Sequence, residues 1–434
     1  MREDDERDII VNDMRFSRDR ETIILSTSKA MSIISTRSLN TLCSIRRPTD
    51  LGDLLSRSSL CATVTAKYSA IQLWTVSQPE VPRTIGSEIS LVTHGLPILN
   101  IMFNPKRLLV LTADSLFILE IPTLKLLQVV ERGSLDIHKN LVCLALLTGT
   151  CCHDNGLCAM IIEKGDVLVM DTFTLNRYQV FTAHTSPVSA LEFSMDGRLL
   201  ATASTKGTLV RVFKTEQSRC LDLVCILRRG RSENPITSLL FDSSSQTVTV
   251  SGNTDTCHVF TVPDCLSTKT VIRTAYQSLL SILPKQYKEA VEAVRDYAHV
   301  KLRRNNPTDF FLACLTDPTS VLVVSVVSES SAFAFGYTID KNGGECKLRS
   351  EHAFTNFPEI SSTVVTPTTV YEEEDSTQRP VEVVLKDSPQ VTTLEETLLT
   401  GLPEAAVITK KPKKRKPKKK LSEEESREIF DGSE

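Results

Sequence analysis

Arg228 and Arg229 stand side by side where the apolar run 224–227 ends, in the stretch LVCILRRGRSENP at 223–235. If that run is a strand, neighbouring residues point to opposite faces, so the two guanidinium groups cannot share one acceptor. They either serve two separate anions or form a solvated, charged strand end. Their surroundings favour the first. On the N-terminal side, AHTSP supplies His184, and ATASTKGTLVRVF supplies Ser204, Lys206 and Thr208 around a turn. On the C-terminal side, SGNTDTCHVF supplies Ser251, Thr254, Thr256 and His258. The last three alternate and so face one side of their strand. An arginine joined by hydroxyl donors holds a phosphomonoester well, because that group carries nearly two negative charges and several acceptor oxygens. The two sets leave one arginine for each anion.

Residues so far apart need a framework, and it is repetitive. Units of strand, small polar turn and second strand begin at residues 22, 60, 107, 157, 199, 247 and 320. Several follow a third strand, clearest in SPVSALEFSMDGR and NPITSLLFDSSSQ. Spacings of roughly 40 to 50 residues with three or four strands each are the signature of propeller blades. Seven units predict an all-β, WD40-like, seven-bladed β-propeller over 10–360. The usual Trp-Asp marker is missing, since Thr75 follows the single tryptophan, Trp74.

The longest spacing, between the sixth and seventh units, holds an insertion over 263–297. Within it Ile272, Tyr276, Leu279, Leu280 and Leu283 recur at helical spacing until Pro284. Tyr287, Val291, Val294 and Tyr297 repeat that period. With Lys269, Arg273, Lys285 and Lys288 on its flanks, such a helix suits an anionic membrane interface. A helix covering its own blade would read the same way.

Composition narrows the classes. No window approaches ~20 consecutive apolar residues, and the acidic start MREDDERD is not that of a secretory signal. A cytosolic chain with reduced cysteines is expected, most of its twelve lying in apolar runs. Of the chain's 50 Lys and Arg and 53 Asp and Glu, residues 361–434 hold 12 and 15, which leaves the body 38 of each. Affinity for phosphate must then come from local arrangement. That tail, Ser/Thr/Pro-rich and charged, is expected to be disordered. Its block KKPKKRKPKKK reads as a nuclear address, an anionic-lipid tether, a nucleic-acid contact or a tail screened by its flanking glutamates. Without interleaved aromatics it gives no basis for sequence-specific nucleic-acid recognition. Motifs G-x-S-x-G, H-E-x-x-H and the Walker loop are absent, so no enzyme, cofactor or metal is expected. CCHDNGLC at 151–158 fits no standard zinc spacing and reads as a connection between blades.

AHTSPVSALEFSMDGRLLATASTKGTLVRVF, then LRRG, then NTDTCHVF resembles the PROPPIN family, the phosphoinositide-binding propellers called WIPI in animals. GGECKL at 343–348 is similar to that family's last blade. The resemblance implies binding of phosphatidylinositol 3-phosphate and phosphatidylinositol 3,5-bisphosphate at two headgroup sites. Site one would use Arg228 with His184, Ser204, Lys206 and Thr208. Site two would use Arg229 with Ser251, Thr254, Thr256 and His258. It further implies a blade-six insertion that dips into the bilayer, a monomer on phagophore or endosomal membranes, and autophagy scaffold proteins as partners. Leu227 stands for the commoner phenylalanine, and Gly252 for a frequent second serine. The reading that competes with this one is a protein-interaction scaffold without lipid affinity, nuclear through its lysine-rich tail.

Overall fold

A computed structural model describes residues 9–65, 69–76, 82–90, 96–131, 149–152, 155–163, 165–215, 221–262, 293–302, 310–326 and 331–354. They form seven sheets of four antiparallel strands each, blade six gaining a short fifth strand, Gly344–Glu345, in parallel, and there is no helix among them. Each repeat unit read from the sequence is the middle pair of a blade. In blade five, for example, Leu199–Ser204 pairs with Leu209–Lys214. The innermost strands, Val11–Phe16, Leu51–Leu54, Asn100–Asn104, Gly149–Cys151, Val188–Phe193, Ile236–Phe241 and Phe310–Asp317, neighbour one another in chain order around the axis.

Alternation within the strands builds the core. Each blade buries one set of side chains against the preceding blade and the other against the next. Seven apolar clusters result, one per junction. The ring closes through Met14, Phe16, Ile23 and Leu25 of blade one packed on Leu312, Cys314, Leu322 and Val324 of blade seven. No strand is exchanged at this closure, since the four strands of blade seven all come from 310–353.

A polar contact spans the interior. In the turn between the first two strands of blade one, Arg18 Nη1 donates to Glu192 Oε1 of blade five at 2.8 Å, and Arg18 Nη2 donates to Phe193 O at 2.8 Å. Arg20 Nη2 donates to the same Glu192 oxygen at 2.5 Å, and its Nε to Phe241 O of blade six at 3.1 Å. Thr150 of blade four donates to Glu192 Oε2 at 3.2 Å. Blade one does not adjoin blades four or five, so these bonds cross the ring and tie blades one, four, five and six to one carboxylate.

Two readings of the sequence are corrected. The 151–158 stretch is the first hairpin of blade four rather than a connection between blades. Cys151 ends the inner strand, faces Cys158 across the ladder, and both are buried. Burial pushes the Cys151 thiol up to about 12, as befits an inert core cysteine. Val294 and Tyr297 are not helical: Val294 bridges Leu227 in parallel, and Tyr297 makes a bend before the strand Ala298–Lys301. Ile272, Tyr276, Leu279, Leu280 and Leu283 lie outside the described residues, as does the tail with its lysine block.

Candidate anion-binding rim of blades five and six

The register of blade five places the first arginine. Its outer strand Asp222–Arg228 pairs Leu227 with Val210 and Arg228 with Leu209. Leu227 and Val210 are fully buried against blade six, so Arg228 lies on the other face, toward blade four. Ser204, which ends the second strand, and Thr202 share that face, because the intervening Ala203 pairs with Val210 in the blade-six-facing core. The sheet thus brings Arg228 and Ser204 to one side.

His184 is on hand but committed. Arg211 Nη1 donates to its Nδ1 at 2.9 Å and to Ala183 O at 2.8 Å, while His184 Nε2 meets Thr202 Oγ1 at 2.9 Å. A guanidinium can only donate, so Nδ1 accepts and the ring is the neutral Nε2–H tautomer. Burial first, then the charge of Arg211, holds its pKa down to about 3. His184 therefore sets the position of Arg211 and brings no charge of its own. Arg211, a second cation on the Arg228 face, escaped the sequence reading because VRVF reads as an ordinary strand. Unfolded His184 takes up a proton near pH 6.5, whereas the folded ring resists it until about 3, so acid favours unfolding across that interval. From pH 7.5 to 5 this contributes a loss of about 2 kcal/mol. Asp53 works the other way: burial raises its carboxyl to about 6, so the fold gains stability as Asp53 takes up its proton below that. The expected result is that His184→Gln removes the His184 share, seen as a shallower fall of the urea midpoint with acid than in the natural chain.

Arg229 is buried, 6% exposed. Its backbone N–H donates to Thr208 O at 3.0 Å, its Nε to Gly207 O at 2.5 Å and its Nη2 to Ser232 O at 2.8 Å. Among the described residues no carboxylate pairs with it, and burial lowers its pKa. A guanidinium held only by carbonyls keeps its charge uncompensated, which suits an incoming anion. The turn of Lys206 and Thr208, assigned by resemblance to the Arg228 site, is thus fastened to Arg229. Lys206 itself is exposed and pairs with Glu233 at 3.0 Å.

In blade six, Ser251 is fully buried and donates to Phe311 O of blade seven at 3.3 Å, a bond between blades. The Thr254 hydroxyl is buried without a hydrogen-bond partner. Thr256 and His258 alternate with Cys257 and Val259, which are buried toward blade seven, and so face blade five. His258 Nδ1 lies 3.0 Å from Asp296 Oδ2, and His299, directly opposite on the next strand, has its Nδ1 3.8 Å from the same oxygen. Arg295 and Asp296 were missed because the helical spacing was carried through Val294 to Tyr297, and His299 because it was not singled out on the strand that follows, where Ala298, Val300 and Leu302 alternate. The extended stretch is held at Val294, whose N–H donates to Ile226 O at 2.7 Å and whose carbonyl accepts from Arg228 N at 2.8 Å. That pairing sets the exposed Arg295 in step with Arg228.

Fold and rim together define a class: a seven-bladed propeller with adjacent arginines where the outer strand of blade five ends, Arg228 on its blade-four face and Arg229 buried among the carbonyls of the following turns. The PROPPIN family model matches residues 13–355, and the chain belongs to that family. It is 28% identical over 385 residues to WD repeat domain phosphoinositide-interacting protein 2 of Mus musculus, covering 81% of this chain and 78% of that one. It is 28% identical over 297 residues to autophagy-related protein 18 of Dictyostelium discoideum, covering 62% and 73%. Among solved structures, Kluyveromyces lactis Hsv2 with its complete loop 6CD shares the fold at a TM-score of 0.60 and 19% identity, over 79% of this chain and 99% of that one. A complex of KlAtg21 with the coiled-coil of AgAtg16 gives 0.59 and 20%, over 80% and 99%.

Proposed function

We propose that this protein is a phosphoinositide effector that docks at the rim of blades five and six and recruits autophagy partners to membranes carrying phosphatidylinositol 3-phosphate or 3,5-bisphosphate. The observation that carries the reading is Arg229, a buried guanidinium held only by carbonyls, next to an Arg228 on the blade-four face of its strand. The names of the relatives, phosphoinositide-interacting and autophagy-related, support the ligand class and the process. The Atg16 coiled-coil bound to a relative supports protein recruitment as the output. Two weak sites on one rigid rim gain avidity at a membrane, because the second engagement is intramolecular. The chain acts by binding, at the membrane periphery.

Liposome flotation tests this. Natural protein, Arg228→Thr/Arg229→Thr and a chain ending at residue 360 are compared on vesicles without phosphoinositide, with the 3-phosphate and with the 3,5-bisphosphate. The natural protein is expected to float only with the 3-phosphorylated lipids, the double variant to lose at least tenfold in bound fraction, and the shortened chain to float. A double variant that floats as well as the natural protein would sink the two-site reading. Binding lost only on shortening would hand attachment to the lysine block.

A further inference from the structure

Asp296 places a carboxylate inside the arrangement that should receive an anion. Its Oδ2 is 3.0 Å from His258 Nδ1 and 3.8 Å from His299 Nδ1, and the three side chains are 27%, 16% and 33% exposed. They are reachable from solvent yet partly desolvated, where charge interactions carry further than in open water. The backbone holds Asp296 in place. Two residues before it, Val294 is bonded to blade five on both sides. One residue after it, Tyr297 N donates to Val259 O at 2.8 Å, Tyr297 O accepts from Gly344 N at 2.9 Å, and its phenol donates to Lys341 O at 2.8 Å. The carboxylate can leave the imidazoles by turning its side chain but not by moving its chain.

We propose that Asp296 is the specificity-determining residue of the blade-six anion site: a resident carboxylate that a phosphate must displace from His258 and His299. This rests on the phosphate-binding reading above and extends it to how that site is controlled. Other charged groups do not replace Asp296. On the strand of His299, Lys301 pairs with Glu345 from the blade-seven connection at 2.7 Å, which draws that acid toward the lysine. Glu345 sits opposite His299 in the parallel pairing and feels its charge, but its hydrogen-bonded partner is Lys301. The strand on the other side of His258, Thr247–Gly252, carries no charge. Arg295 shares the segment of Asp296, and the backbone of Arg228 is bonded to Val294 two residues before it. With both imidazoles neutral, the histidine–aspartate trio carries one negative charge and opposes a phosphate dianion. With both protonated it carries one positive charge and attracts it. In either state the Asp296 carboxylate opposes an incoming phosphate dianion and weakens the site.

The test uses the full chain with Asp296→Asn and, as a second replacement of different shape, Asp296→Ser. Binding is measured to vesicles containing phosphatidylinositol 3-phosphate and to vesicles of matched charge made with phosphatidylserine alone, at pH 7.4. Both variants are expected to bind them about 3- to 10-fold tighter than the natural chain at pH 7.4, the effect of removing one charge a few ångströms from the phosphate. Phosphatidylserine vesicles should not discriminate. If the natural chain binds and neither folded variant binds tighter, the proposal is overturned. Inorganic phosphate, followed through the imidazole resonances of His258 and His299, separates the two readings. Tighter phosphate binding by the variants without phosphoinositide-vesicle binding by any chain keeps the role of Asp296 and rejects the lipid as ligand. No gain with either probe rejects the role of Asp296.

Discussion

Glu192→Ala is expected to destabilise the ring by about 3 to 5 kcal/mol, the loss typical when one partner of a buried charge pair is removed. Glu192 is the only carboxylate within ion-pair distance of Arg18 and Arg20 among the described residues, and its side chain is 10% exposed. Truncation leaves two guanidinium groups without a counter-charge in the ring interior, 15% and 7% exposed, with carbonyls and the Thr150 hydroxyl as their remaining partners. The effect should be global. The carboxylate joins blades one, four, five and six, and the junction of blades one and seven has no exchanged strand to support it. Urea unfolding read by far-ultraviolet circular dichroism gives the number. Glu192→Gln, which keeps acceptor oxygen but loses charge, should fall between the natural chain and Glu192→Ala. A midpoint for Glu192→Ala within 1 kcal/mol of the natural chain would show that apolar packing alone closes the ring.

Gly207→Ala is expected to cost at least about 2 kcal/mol and to weaken lipid binding in the same preparation. Gly207 has φ +58°, where a residue with a side chain pays about 1 to 2 kcal/mol. A methyl group there would also lie 1.8 Å from the backbone oxygen of Asn234, so one of the two loops must shift. These loops hold the second arginine: Arg229 Nε donates to Gly207 O, and Asn234 N donates to Lys206 O at 2.9 Å. The motif carries its own control. Gly230, the glycine of LRRG, has nothing within 4 Å of an added methyl, so Gly230→Ala should leave both stability and flotation near those of the natural chain. Equal effects from the two substitutions would mean that the Arg229 anchorage does not depend on the turn at Gly207.

The blade count and the middle hairpin of every blade were legible in the amino-acid sequence. Each depends on a period of two within about fifteen residues, and that period survives whatever the rest of the chain does. The interiors of the hydroxyl sets were legible only as residue types. Ser251 looked like a phosphate donor, but its hydroxyl is taken by Phe311 of the next blade. His184 looked like a rim imidazole, but Thr202 and Arg211 use both its nitrogens.

Tertiary structure alone decided which side chains meet across long separations. Arg18 and Glu192 are 174 positions apart, and nothing local to either announces the pair. Asp296 reached His258 because the return from the blade-six insertion runs extended beside Leu227, whereas its apolar spacing suggested a helix. Val294 and Tyr297, three apart, satisfy a helical period, and the backbone edge of blade five overrode it by bonding Val294 on both sides. Periodicity is a property of neighbours along the chain and is written in it. The occupancy of a hydrogen-bonding edge, or of an imidazole nitrogen, depends on what the closed ring brings alongside.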